Sequence, residues 1–248
     1  MSEKIRKKFQ NTKNDDTKVI ISWLIIKNSN DYTGIGTYQN DVKEDLKKLA
    51  PNVKFYECKI NNQNCVKVYF DSNSKNKFNM LSEKLIYKLT IRKDHKTIIK
   101  YDKNSKANAA QRSSGGNHVN SEQNFSLFIL NANVNYAPDK NKPLLNGLGE
   151  GKNWEHDRCF SLVHELIHAY HVVYNNYNEK YGETEKEETK TCIETNKIIE
   201  EMRALNLTNT QNRTAYNFYE GPALLEDLNA KYMLDDEIKQ ELLDWGKY

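Results

Sequence analysis

Cysteine is scarce in this chain: four residues in 248, none in C-x-x-C spacing. That excludes a cysteine-ligated zinc site and a disulfide framework as the basis of the fold. Cys58 and Cys65 flank an Asn-rich turn and could lie opposite one another in a hairpin, while free thiols are the expectation for all four. Long apolar runs are absent too. No stretch of 18 or more apolar residues exists, so no membrane span is expected. The first thirty residues show no cleavable secretory pattern, because the apolar segment 19–26 is interrupted and a turn-rich segment follows it. Export, if it occurs, is expected by a non-Sec route. An excess of one charge is missing as well: Lys+Arg 37 against Asp+Glu 34 leaves +3, which argues against a dedicated nucleic-acid binder.

Charge itself is abundant, and the hydrophobic fraction is 38% with a mean hydropathy of −0.87. Lys4, Arg6, Lys7, Lys8 and Lys13 make a basic start, so residues 1–16 are expected to be a disordered leader and 17–248 a single domain. Strands are expected over 19–26, 53–59, 66–71, 97–101 and 125–130, with helices over 41–49, 78–89, 157–174, 191–205, 222–230 and 235–245. The polar or Pro/Gly-containing segments 102–122 and 137–152 are expected to be loops. The pattern implies an α+β fold, with a small mixed sheet in the N-terminal half and helices in the C-terminal half.

Within the 157–174 segment, Val163-His164-Glu165-Leu166-Ile167-His168-Ala169 reads H-E-x-x-H. Side chains four apart on a helix point the same way, so His164 and His168 can offer two imidazoles to one zinc ion. Glu165 sits beside the metal without ligating it, the place for a general base acting on an activated water. Phe160, Leu162, Val163, Leu166, Ile167, Val172 and Val173 make the surrounding surface apolar, where two histidines and a glutamate are costly unless something satisfies them. The pattern points to a zinc-dependent hydrolase, with peptide bonds as the foremost substrate. Residues 125–130, just upstream, are the candidate strand to line the cleft and pair with an extended substrate.

Zinc catalysis needs a third protein ligand and one open position. In metzincins the third ligand is a histidine six positions after the second, but that position here is Tyr174. His171, three positions on, has poor helical reach around the same ion. A carboxylate from the next helix, the gluzincin arrangement, is the better solution, and Glu194, Glu200 and Glu201 are the candidates. Arg213-Thr214-Ala215-Tyr216 further downstream has R-x-x-Y spacing, and a guanidinium with a phenol can stabilise a developing oxyanion. Tyr219 competes with Tyr216 for that role.

His164-Glu-Leu-Ile-His168-Ala169 followed by Glu200-Glu201-Met202-Arg203 resembles the H-E-L-I-H-A and E-E-L-R pairing of clostridial neurotoxin light chains and of the NleD-like bacterial effector peptidases. The resemblance covers roughly residues 120–220, and length favours the effectors. It implies a zincin-like fold, one zinc ion held by His164, His168 and Glu201, Glu165 as general base, and Arg213 with Tyr216 at the oxyanion. It further implies a monomeric protease delivered by type III secretion into the host cytoplasm, where it cuts mitogen-activated protein (MAP) kinases of the JNK and p38 types in the activation loop. A neurotoxin-like protease of vesicle-fusion proteins and an interbacterial toxin protease use the same core. A non-catalytic binding module stabilised by its metal is the alternative of a different class.

Overall fold

The structure, a computed structural model, describes residues 22–247 apart from 33, 35, 61, 72–77, 93–94, 102–108, 114–129, 137, 139–147, 150–151, 154–155, 175–183 and 219–220. The expected leader, most of the 125–130 strand and most of the two long loops lie outside the described residues.

Six strands form one mixed sheet in the order β2-β3-β1-β4-β6-β5. They are β1 Leu24–Lys27, β2 Lys54–Ile60, β3 Gln63–Tyr69, β4 His95–Lys100, β5 Ala109–Ser113 and β6 Leu130–Asn135. The central pairs β1–β4 and β4–β6 are parallel and the outer pairs antiparallel. Leu24, Ile25 and Ile26 are all buried, as the run Leu-Ile-Ile requires of a strand covered on both faces. β2 and β3 make a hairpin in which Ile60 pairs with Gln63, tighter than the turn expected from the Asn-rich stretch. Asn62 makes that possible by adopting φ 62°, a left-handed conformation asparagine tolerates. Cys58 and Cys65 stand opposite each other in its register, as free thiols.

The sheet differs in part from the sequence expectation. β5 falls inside the segment read as loop, because its Ala-Ala-Gln-Arg-Ser sequence has no apolar alternation and its pairing to β6 is made by the backbone. Residues 125–129 of the strand expected to line the cleft lie outside the described residues; Leu130 begins β6, which lies inside the sheet between β4 and β5. Among the described residues the edge on that side is β5.

Six helices are described: α1 Tyr38–Leu49, α2 Leu81–Ile91, α3 Arg158–Tyr174, α4 Thr184–Ala204, α5 Leu225–Tyr232 and α6 Asp235–Trp245. None is long and apolar enough to cross a membrane. Two short hairpins complete the set, β7 Leu148–Gly149 with β8 Lys152–Asn153, and β9 Ala215–Phe218 with β10 Gly221–Leu224.

Helix α3 is the buried axis of the molecule, touching α1, α2, α4, β5 and β6. Phe160, Leu162, Val163, Leu166, Ile167 and Ala169 on it are fully buried, each large side chain contributing about 1.5–3 kcal/mol of hydrophobic stabilisation. Polar bonds fix both ends. At the start, Arg158 Nε donates to Asp45 Oδ1 at 2.8 Å and the Tyr136 hydroxyl donates to Asp45 Oδ2 at 2.7 Å, tying α3 to α1 and to the end of β6. At the finish, the Tyr174 hydroxyl donates to the Lys88 carbonyl of α2 at 2.9 Å. A helix held in this way presents its remaining polar side chains in fixed positions.

Candidate metal centre

Those remaining side chains are His164, Glu165, His168 and His171, and they face α4. His164 Nε2 and His168 Nε2 lie 3.2 Å apart. Glu188, on the second turn of α4, places Oε2 3.3 Å from His164 Nε2 and Oε1 3.4 Å from His168 Nε2. Two imidazole nitrogens turned towards each other beside a carboxylate can share either a ring proton or a metal cation. The spacing suits a metal: a tetrahedral ion with bonds of about 2.0–2.2 Å sets its donors roughly 3.3–3.6 Å apart. His164, which is buried, and the half-buried His168 and Glu188 form one of the groups among the described residues that could hold a metal ion, and the donor set of two nitrogens and a carboxylate oxygen suits zinc.

Electrostatics favour a cation in the same place. Burial pushes the His164 imidazole down to about 4, so it is neutral and available as a ligand near pH 7. Burial would lower His168 as well, but the Glu188 charge and hydrogen bonds to Glu187 and Glu188 hold it well above the ordinary imidazole range. Glu188 is likewise held well below the carboxylate range: burial works against ionisation, and the charge of His168 with the bonds to both histidines prevails. The carboxylates around His168 thus favour positive charge at the place a metal would take.

The structure brings His164, Glu165 and His168 together as the sequence predicts, but it does not bring Glu201 to them. Glu201 Oε2 instead accepts a hydrogen bond from the Leu81 backbone N–H at 2.6 Å, at the start of α2. The reason lies in the length of α4. That helix begins at Thr184, seven residues earlier than expected, so Glu188 and Glu201 share one continuous rod. Thirteen residues along an α-helix is about 20 Å of rise and roughly 220° of rotation, which puts Glu201 far from the pair and on another face. Of the other candidates, Glu200 accepts from Asn212 Nδ2 at 2.6 Å near the surface, and Glu194 approaches His171 rather than the pair. Glu188 is not among the expected ligands because the Glu-rich start of α4 resembles a charged connection. The spacing Glu187, Thr191, Glu194, Ile198 is the helical signal that extends the element backwards.

Glu187, the neighbour of Glu188, backs His168 from the other side. Its Oε1 lies 2.9 Å from His168 Nδ1, the ring nitrogen facing away from Glu188. A carboxylate on that nitrogen fixes the tautomer and orientation of the ring and raises its basicity towards a metal. His171 also reaches Glu187 Oε1, at 2.5 Å, and takes no place beside His164.

Arg213 and Tyr216 come to the same region on β9 and the segment before it. Asn196 of α4 clamps the Arg213 backbone, accepting from its N–H at 2.8 Å and donating to its carbonyl at 2.7 Å. The guanidinium stacks over the Tyr216 ring, 4.3 Å from its centroid. Burial pushes the Tyr216 phenol up, and the charges of Glu188 and Glu165 add to it, so the hydroxyl stays protonated and can donate. The hairpin β9–β10 that presents this pair was not expected, and Tyr219 lies outside the described residues.

No protein-family model matches the chain, and no curated protein or solved structure matches it either.

Proposed function

We propose that this protein is a zinc-dependent endopeptidase whose metal is held by His164, His168 and Glu188. The observation that carries the reading is the trio of donor atoms at 3.2, 3.3 and 3.4 Å, with the non-ligating Glu165 adjacent in sequence to His164 and buried beside it. The zincin-like, gluzincin-type assignment follows from the same set: two histidines from one helix and a glutamate from the next.

A zinc ion bound there supplies Lewis acidity, lowering the pKa of a water and polarising the carbonyl to be attacked. His164 and His168 contribute neutral imidazoles, and Glu187 keeps the His168 ring in the tautomer whose Nε2 lone pair is free. Glu165 takes a proton at its carboxylate as the carbonyl is attacked and returns it to the leaving amine. Tyr216 and Arg213 supply a hydroxyl and a cation to the oxyanion, an interaction that strengthens only as charge develops. Among the described residues β5, which α3 packs against, is the edge strand, and its backbone is the one an extended peptide would pair with.

The substrate class rests on the resemblance of His164-Glu-Leu-Ile-His168-Ala169 to the effector peptidases alone, since Glu201 stands away from the metal ligands. On that basis the protein is a secreted effector that cuts host MAP kinases in the activation loop. Incubating the zinc-loaded protein with phosphorylated and unphosphorylated kinases, beside a Glu165→Ala control, and identifying fragments by mass spectrometry tests it. Kinase fragments absent from the control support the reading. Hydrolysis of other peptides but not of kinases removes the substrate and leaves the chemistry, and zinc binding with no hydrolysis of any peptide indicates a metal-stabilised binding module.

A further inference from the structure

Behind the ligand shell, a second group of buried polar side chains runs from His168 to the last helix. Glu187 Oε1 lies 2.9 Å from His168 Nδ1 and 2.5 Å from His171 Nδ1, so one oxygen bridges two imidazoles three residues apart on the same face of α3. The other nitrogen of His171 lies 2.6 Å from Glu241 Oε1 on α6 and 3.2 Å from Glu194 Oε2 on α4. Lys190 Nζ completes the chain as an ion pair with the second oxygen of Glu241. His171, Glu194, Lys190 and Glu241 are each at least nine-tenths buried.

Such a chain is expensive to bury, and stability alone does not require it, because apolar residues of similar volume would fill the space at least as well. Three of its members, His171, Glu194 and Glu241, group closely enough to suggest a second metal site. Distance and charge argue otherwise. The 2.6 Å approach of His171 Nε2 to Glu241 Oε1 is an ion-pair contact, shorter than the roughly 3.3 Å between donors on a tetrahedral ion. The Lys190 ammonium already provides the positive charge.

We infer that His171 and Glu241 are positioning residues, which, through Glu187, set the orientation of the His168 ring and so couple the C-terminal helix α6 to the metal centre. The inference rests on the proposed metal ligation by His164, His168 and Glu188. Its logic is steric and directional. Glu187 is one carboxylate on α4, and apart from the two imidazoles its Oε1 has a long 3.4 Å bond from Thr191 Oγ1 on its own helix, which restrains its side-chain torsions weakly. The second imidazole pins the shared oxygen, and His171 is itself pinned at its far nitrogen by Glu241, whose other oxygen is held by Lys190. Each group between α6 and the ligand thus has a charged or polar neighbour on either side, which is how outer partners raise the affinity of a ligand they do not touch.

Cobalt(II), a spectroscopic substitute for zinc, provides the test. The full-length protein, Glu241→Gln, His171→Asn and the surface control Asp244→Asn on the same helix are titrated with cobalt and then with zinc. Each metal-free variant is melted separately so that any folding loss is measured on its own. His171→Asn retains an amide able to donate to Glu187 but severs the link to Glu241, so it probes the relay even if Glu241→Gln disturbs α6. The expected result is one equivalent of metal in every protein. Glu241→Gln and His171→Asn are expected to show affinity weakened by roughly 10-fold or more and a shifted cobalt ligand-field band, with Asp244→Asn unchanged. Affinity and band position within about twofold of the unmodified protein in both variants would overturn the relay. So would a second equivalent of metal lost in both, which would make the group a metal site. Failure of the unmodified protein to bind cobalt or zinc at all would instead remove the ligation on which the inference rests.

Discussion

The Glu201 carboxylate caps helix α2, its Oε2 accepting the Leu81 backbone N–H at 2.6 Å. That amide is one of the four that an α-helix leaves unbonded at its start, and α2 has no side-chain cap of its own at Met80. The negative charge also complements the positive end of the helix. Glu201→Ala is therefore expected to retain metal and to lose about 1–2 kcal/mol of stability, the cost of a missing cap. Glu188→Ala is expected to do the reverse, abolishing metal binding. Metal content and thermal melts of the two variants check both halves. Metal lost from Glu201→Ala and kept in Glu188→Ala would restore Glu201 as the ligand.

Glu165 is buried in the same wall as His164 yet contributes no atom to the metal-binding trio. Glu165→Gln preserves its shape and removes its basicity. Metal content is expected to stay at one ion per chain while peptide hydrolysis falls by roughly 100- to 10,000-fold, the range general-base catalysis supplies. His164→Ala and His168→Ala are expected to lose metal and activity together. A fully active Glu165→Gln would show that the proton goes elsewhere.

Acid should act on the metal-free and metal-loaded proteins in opposite senses. In the metal-free protein Glu188 and Glu187 hold the His168 imidazole well above its ordinary value of 6.5. A raised folded value means that this interaction stabilises fully below the unfolded imidazole's pKa and fades as pH rises through the folded one. A metal needs the same nitrogen deprotonated, so its binding grows stronger over that rise. The zinc-induced increase in Tm is predicted to be small at about pH 5 and to widen steadily towards about pH 8. Thermal melts with and without zinc across that range measure it, and a pH-independent increase would exclude His168 as a ligand.

Tyr216 lies beneath the Arg213 guanidinium, and burial keeps its phenol protonated. Tyr216→Phe leaves the ring and the stacking in place and removes the hydroxyl. Metal content and KM are expected to hold, while kcat falls by roughly 100-fold, the usual loss for one oxyanion donor. An unchanged kcat would reduce Tyr216 to a stacking partner for Arg213.

The residues that were legible in the sequence are those whose spacing carries the geometry. H-E-x-x-H on an apolar helix gives His164 and His168 a common direction, and the strands β1 to β4 are readable from their apolar patterning and turns. Glu188 was hidden by a boundary error, since Glu-rich polar residues between Gly182 and Thr191 look the same in a solvated connection as in the first turns of a helix. Thr184-Glu185-Lys186-Glu187 has the T-x-x-E form that marks a helix start, and it was the available clue. Glu200-Glu201-Met202-Arg203 misled for a related reason. Its charge pattern fits a metal helix, but Arg203 Nη1 donates to the Thr210 carbonyl of the following segment at 3.0 Å, and Glu201 caps α2, a structural duty set by a partner far along the chain. β5 and the β9–β10 hairpin were illegible because their pairing is made by the backbone, which leaves little trace in side-chain periodicity.

X-ray absorption at the zinc edge of the protein loaded with one equivalent of metal tests the central claim most directly. The account predicts four-coordinate zinc with two imidazole nitrogens and the remaining donors oxygen at about 2.0–2.2 Å, and loss of that spectrum in Glu188→Ala. Zinc with fewer than two imidazoles, or an unchanged spectrum in Glu188→Ala, would contradict it.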